Sequence, residues 1–417
     1  MSQNWKRSTA LFLSSQGISL FGSTLVQYAI SWHITLETQS GLMMTVAVLC
    51  GFLPTCLLSP FAGVWADRYP RKLLIVLSDA GIALATLGLA ILFRMGYDAL
   101  WLLFAVSAIR ALGAGVQMPA IGAFLPQFVP EDKLTRVNAT NSSIQSAVML
   151  VSPMLSGALL TWTALETIFF IDVVTAGIAI LILLLLLRVP AHAKATATQG
   201  SGYLADMRQG FTYVRSHALV KQLCVFNAVF FILIAPSAFL TPLQVARSFG
   251  DDVWRLTALE LVFSVGMLAG GAIMAVWGGF TNKVHTLVFA NVIISVCTFA
   301  LGVVPVFWFY LCFVAFTGVA IPLFNTPFTV LLQQKVEADF LGRVFGVFGM
   351  ISSMAPAGML LFGPIADVVR IEWLLIATGL LLLAQSLIML GSRVLVEGGQ
   401  PTPRPDSGGA VPADTGA

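Results

Sequence analysis

Long apolar runs separated by short polar breaks dominate this chain. From Leu42 about twenty apolar residues lead into a charged cluster, Asp67-Arg68-Tyr69-Pro70-Arg71-Lys72, and a second run of similar length opens at Leu73. Such a run crosses a bilayer once as a helix, because its backbone N–H and C=O groups find no water there and must pair within the segment. In order, the pattern predicts spans over 9–36, 41–66, 73–94, 98–124, 138–162, 166–188, 218–246, 253–278, 284–304, 306–332, 344–367 and 372–392. The charged cluster is then a tight turn at a membrane surface. Gly63 lets two helix ends approach, Asp67 can accept hydrogen bonds from a neighbouring helix N-terminus, and Arg68, Arg71 and Lys72 hold the turn at the cytoplasmic face.

Composition narrows the class further. Charged residues make up 10% of the 417, against about 25% in soluble domains, and apolar residues 58%. The chain reads as an all-α integral membrane protein whose first partner is the lipid bilayer. The net charge of +3 says little; sidedness says more. Most Lys and Arg residues, from Lys6 and Arg7 through Lys72, Lys133 and Arg208 to Arg343, fall on one side of the predicted spans, while Arg94, Arg247, Arg255 and Arg370 mark the other. The richer side is cytoplasmic, so both termini are expected there. Cys50, Cys56, Cys224, Cys297 and Cys312 all lie in apolar runs without ligand spacing, which argues against disulfides and metal. No His-Glu-x-x-His, serine elbow or phosphate loop occurs, so an enzyme, a cofactor, a nucleotide and a nucleic-acid partner are not expected.

The longest break divides six spans from six. Residues 1–188 and 218–392 form two six-span units, 189–217 a cytoplasmic linker, and 393–417, rich in Pro and Gly, a disordered tail. In the linker Leu204, Met207, Phe211 and Val214 fall at helical spacing opposite Arg208 and Arg215, as in an amphipathic helix on the inner surface. The units share a repeat. Residues 127–137 align with 334–344 at one constant offset, identical at six of eleven positions: Gln127 with Gln334, Val129 with Val336, Asp132 with Asp339, Leu134 with Leu341, Arg136 with Arg343 and Val137 with Val344. Each copy lies between the fourth and fifth spans of its unit, as two parallel repeats require.

Ionisable residues inside the spans each cost about 2.5–3.5 kcal/mol on insertion scales, so each needs a reason. Arg110, near mid-depth of span four, shares a face with Gly113 and Gln117. Read from its surroundings alone, it is held by backbone carbonyls or by the Asn and Gln side chains of span five. Glu260 in span eight is a carboxylate taken out of water, suited to binding a proton or a substrate cation. Asp172 in span six is either a coupling group or half of an interhelical pair. Asp79 in span three can reach the charged turn or the loop after span four, as a structural pair or a coupling group. Two polar stripes, Ser15-Ser19-Ser23-Gln27-Ser31 and Asn325-Thr329-Gln333, mark either the lining of a cavity or interhelical contacts. With Asn227, Phe230, Phe231 and Phe324 they make an aromatic, weakly polar surface for a large amphipathic ligand. Prolines such as Pro153, Pro236, Pro242, Pro322 and Pro327 break helices where bending is useful.

Several motifs carry a resemblance. Gly63-x-x-x-Asp67-Arg68-x-x-Arg71-Lys72, after two spans, resembles the signature of the major facilitator superfamily; the second unit keeps only a worn echo at Trp277–Lys283, without the Asp. Arg110-Ala-Leu-Gly113-Ala-Gly115 resembles that superfamily's fourth-helix motif, and Ser152-Pro153-Met-Leu-Ser156-Gly157 a degraded fifth-helix exporter motif. Asn4-Trp5-Lys6, Gly51-Phe-Leu-Pro54, Leu125–Glu131, Gly266–Gly271 and Leu341–Gly346 are similar to the macrolide-efflux branch of bacterial drug exporters. The resemblance implies twelve helices in two pseudo-symmetric six-helix bundles. It also implies a latch at Asp67 that closes the cytoplasmic side, proton coupling through Arg110, and proton-driven antiport of hydrophobic drugs across a bacterial inner membrane. Export of a siderophore or endogenous metabolite, or proton-coupled import, shares the same motifs.

Overall fold

A computed structural model describes residues 5–187, 203–352 and 354–400, apart from the side chains at 59, 60, 63, 64, 67, 131, 203–206, 338 and 339. Nearly all of it is helix, in twelve segments long and apolar enough to cross a membrane. The first six are α1 (Trp5–Thr38), α2 (Gly41–Arg68), α3 (Arg71–Arg94), α4 (Leu100–Phe124), α5 (Glu131–Trp162) and α6 (Leu165–Leu181). The linker carries α7 (Tyr203–Ser216). The seventh span is α8 (Ala218–Ala235) continued by α9 (Thr241–Ser248), then come α10 (Val253–Trp277), α11 (Lys283–Leu301) and α12 (Phe307–Lys335). The eleventh combines α13 (Ala338–Ser352) and α14 (Met354–Val368); α15 (Ile371–Gly391) is the twelfth, and α16 (Arg393–Gly398) closes the described chain.

Local chemistry explains the joints. Pro236 has no N–H to continue the ladder of α8, and a wider π turn over Pro236–Leu240 carries the span into α9, with Pro242 in its first turn. Gly278, at φ 69°, ends α10 in the left-handed region that a residue with a Cβ resists. Asn282 then caps α11 by accepting from the Val284 N–H.

Three apolar cores belong to single halves of the molecule. Phe12, Ile75 and Phe124 anchor one end of the first half, and Leu25, Leu103 and Phe169 the other. Phe230, Phe324, Leu331 and Leu382 lie in the second half's core. A fourth core joins the halves: Trp32 and Met44 pack with Leu240, Leu243, Met359 and Ala366. The halves are therefore welded at one end, the end of the α1–α2 turn.

Two segments differ from expectation. The linker helix buries Gly210, Tyr213 and Val214, while Phe211 stays exposed. Gly210 lies against the Arg343 carbonyl and Tyr213 stacks on Phe340, so the contact face is set by α13 rather than by the Leu204–Val214 stripe. The first residues of the expected disordered tail form α16, whose Leu395 is fully buried; the Asn282 side chain donates to the Val396 carbonyl and Lys335 to that of Gln400. Residues 401–417 lie outside the described residues.

Candidate functional site

The welded end is a clasp built on the N-terminus of α2. A helix begins with N–H groups that have no partner inside it. Ser40 caps α2 by accepting from the Met43 N–H, and Asp367, from α14 in the other half, takes the next donors. Its carboxylate accepts from the Gly41 N–H at 2.7 Å, the Leu42 N–H at 2.9 Å and the Ser40 hydroxyl at 2.8 Å. Arg247, in the last turn of α9, donates to Asp367 at 2.9 Å, to the Ala366 carbonyl at 2.6 Å and to the Gln39 carbonyl. Gln39 sits at φ 45°, which turns its carbonyl into this cluster. Behind the charges α2 and α14 touch backbone to backbone: a Cβ on Gly41 would stand 2.3 Å from the Gly363 carbonyl, and one on Gly363 would stand 1.6 Å from the Thr45 hydroxyl. The Thr45 hydroxyl also reaches the Met359 carbonyl at 3.0 Å.

Deeper in the molecule a further bond crosses between the halves. The Tyr28 hydroxyl of α1 donates to the Glu260 carboxylate of α10 at 3.4 Å. Glu260 is half-buried and tied to the opposite half. Tyr28 packs on Trp32, a fully buried member of the shared core. One turn of α1 therefore links the acid to the weld.

The remaining intramembrane charges form a network inside the first half. Arg110 pairs with Asp172 at 2.5 Å and donates to Thr86 at 2.5 Å and to the Ser23 carbonyl at 3.0 Å; the Ser23 hydroxyl donates to Asp172 at 3.3 Å. Both charges are buried. In dry surroundings an ion pair persists only with its spare donors and acceptors occupied, and here Thr86 and Ser23 take up several of them. Asp172 is thus half of an interhelical pair, and Arg110 is held by it rather than by span five. Asp79 does not reach the charged turn. Its Oδ1 accepts from Ser19 at 2.7 Å and from Gln117 at 2.8 Å, and its Oδ2 is buried without a partner. Ser19 and Ser23 thus spend their hydroxyls on carboxylates instead of facing a cavity.

The expected substrate surface divides. Asn227, Phe230 and Phe324 are core residues of the second half, with the Phe230 and Phe324 rings stacked at 4.1 Å. Aromatic stacking and apolar neighbours outweigh exposure to an opening there. Gln117 is held by Asp79. Gln27 and Asn325 are exposed and Phe231 is half-buried. A further polar face was hidden in the sequence at Asn138–Ser146, where Asn138, Ser142, Ser143, Gln145 and Ser146 are exposed on α5. From Glu131 to Ser146 a helix rises about 22 Å. Polar side chains carried so deep require water or protein beside them, not lipid. The run of Asn, Ser and Gln was the available signal, masked because α5 begins at Glu131 rather than at 138.

The charged turn lies at the opposite end from the clasp. Arg71 donates to the carbonyls of Ala66 at 2.9 Å and Ala123 at 2.6 Å, and Lys72 to that of Leu187 at 2.8 Å, all within the first half. Arg68 is exposed. Gly63 and Asp67 lie in the last turns of α2, and the Asp67 side chain is outside the described part of the structure. Among the described residues no group of three or more His, Cys, Asp or Glu is placed to hold a metal.

Residues 9–359 match the family model described as Major Facilitator Superfamily. The chain belongs to this superfamily. Its fold agrees with that of a bacterial homologue of the human lysosomal transporter Spinster, at a TM-score of 0.68 and 12% identity, covering 97% of this chain and 100% of that one. Macrolide efflux protein A of Streptococcus pyogenes is 28% identical over 388 residues, 92% of this chain and 96% of that protein. Multidrug efflux pump Tap of Mycobacterium bovis is 19% identical over 394 residues, 92% and 91% of the two chains. As a major facilitator protein the chain is a multi-pass membrane transporter of twelve helices in two bundles, and the clasp and the Tyr28–Glu260 bond are among the places where those bundles meet, beside the shared core and the contact of Gly157 on α5 with Thr257 on α10.

Proposed function

We propose that this transporter exports hydrophobic or amphipathic drugs of the macrolide kind from the bacterial cell, exchanging them for protons by alternating access. The similarity to a macrolide efflux protein over nearly the whole of both chains supports the substrate class and the direction. One observation carries the coupling: Glu260 is a carboxylate at the junction of the two bundles, bonded across it to Tyr28. A group so placed can take a proton or a cationic drug in turn, and either changes what binds the halves together.

In this reading the clasped end faces outward, because the cations concentrate at the other end. The structure is then the inward-open state. Gln27, Phe231, Asn325 and the polar face of α5 line the drug's path, and Glu260 closes its roof. When the molecule rocks outward, the clasp opens and the turn holding Asp67, Arg68, Arg71 and Lys72 latches the cytoplasmic side. Both termini lie in the cytoplasm. The test is uptake of a radiolabelled macrolide by inverted vesicles, with and without an imposed proton gradient, beside a Glu260→Gln control. Gradient-driven accumulation lost in the variant is expected. Wild-type vesicles that never accumulate drug under a gradient would overturn the reading and turn attention to endogenous metabolites.

A further inference from the structure

Exchange of a drug for a proton makes a demand that binding alone does not meet. The carrier must change conformation with either cargo aboard, yet not when it holds neither. A bare carrier that isomerises freely lets drug run back down its gradient, or lets protons leak when it returns loaded. The Tyr28–Glu260 bond has the chemistry to impose that rule.

We propose that Tyr28 is the positioning residue that arrests the empty, ionised carrier. Its hydroxyl, donated to the Glu260 carboxylate, ties α1 to α10. Either a proton on Glu260 or a cationic amine on the drug releases the tie. This inference rests on the exchange function proposed above and assigns it a mechanism of coupling.

The geometry supports three parts of the argument. First, the bond spans the junction of the halves, so a rocking motion must break it or carry it along. Second, a hydroxyl donates more strongly to a carboxylate than to a neutral carboxyl, so a tie that is already long at 3.4 Å is weakened by protonation without any rearrangement. An ammonium beside the same carboxylate competes for its lone pairs with full charge. Third, Tyr28 stands one turn from Trp32, which packs in the shared core with Met44 and Met359, so release is felt at the outer weld.

Other charges on the elements packed around Glu260 are engaged elsewhere or distant. Arg247 of α9 is committed to Asp367; Arg255 of α10 pairs with Asp252 through Nη2, while its Nη1 is buried against Gly250 without a hydrogen-bond partner; and Tyr310 of α12 donates to Gln244. Lys335 lies in the last turn of α12 and the charges of α5 in its first turns, while His33 and Glu37 lie further along α1. The proton step is a simple transfer: Glu260 gains a proton from the outer water and gives it up to the inner.

Proteoliposomes of the full chain provide the test, with a radiolabelled macrolide bearing a tertiary amine as probe. Tyr28→Phe should keep drug-for-drug exchange within about twofold of wild type, lower gradient-driven accumulation about tenfold, and leak protons without drug, as followed with a pH dye. Tyr28→Gln, which restores an N–H donor, should recover part of the accumulation. Wild-type accumulation and no leak in Tyr28→Phe would overturn the proposal, whereas a wild-type protein lacking gradient-driven accumulation would instead overturn the exchange function. A second measurement leaves Tyr28 in place: maleimide labelling of Met44→Cys in a chain freed of its native cysteines. Because the thiolate is the reacting species, each rate is taken relative to that of the denatured chain at the same pH; so expressed, labelling should be slow at alkaline pH without drug, and several-fold faster at acid pH or with macrolide. Equal rates in all three conditions would also overturn it.

Discussion

At the scale of single residues, the buried pair Arg110–Asp172 sets the largest stake. Removing one partner strands a charge in a dry site, at a cost of about 3–5 kcal/mol. Replacing both removes the charges together and costs far less. Thermal unfolding in detergent should therefore show Arg110→Met and Asp172→Asn each lowering the midpoint more than the double variant does. A double variant as unstable as the sum of the two would mean that the charges are not partners. Asp79 differs, since Ser19 and Gln117 donate to one oxygen while the other is left bare. Asp79→Leu should leave both donors unmatched and cost about 1–3 kcal/mol per group by the same measurement. An unchanged midpoint would refute those bonds. That these positions mattered was legible, because a charge within a span always needs a reason. Which charge met which was not, because Arg110 and Asp172 lie 62 residues apart and depth alone does not rank partners.

At the scale of elements, the clasp depends on the α2 N-terminus and on two glycines. An N-terminal cap is worth about 1 kcal/mol, and the exposed Arg247–Asp367 pair adds little more. Asp367→Ala should raise maleimide labelling of Met44→Cys about fivefold in the cysteine-free background; an unchanged rate would show that the apolar core alone closes this end. Gly363→Ala tests that core. Its new methyl would meet the Thr45 hydroxyl and the Gly41 carbonyl, so α2 and α14 must separate. Permanent exposure of Met44→Cys and loss of drug transport are expected, and transport at the wild-type rate would refute the close approach. None of this was readable from Gly41, Asp367 or Arg247 in isolation. A small residue at a helix end and an acid at another are ordinary until the fold sets one upon the other.

At the scale of the whole molecule, one weld and one polar face set the two ends apart. The shared core around Trp32 and Met359 closes one end, while α5 exposes polar side chains at the other. If the halves rock as rigid bodies, accessibility at the two ends is reciprocal. In Gly363→Ala, labelling of Ser143→Cys should fall as that of Met44→Cys rises. If both rise together, the molecule loosens rather than rocks. The repeat at 127–137 and 334–344 had already marked two related units, and its copies lie at the start of α5 and around the start of α13.

That twelve helices cross a membrane, where they run and which motifs they carry were all legible in the order of residues. A bilayer makes these local properties: each span must satisfy its own backbone and be apolar over about twenty residues. Tertiary structure alone decided which polar groups face one another. Tyr28 and Glu260 are 232 residues apart, and Gly41 and Asp367 are 326 apart. It also withdrew Asn227, Phe230 and Phe324 into a core and brought out Asn138–Ser146 in their place. Hydropathy says that a helix crosses; only the packing of one helix on another says which of its sides meets lipid, protein or water.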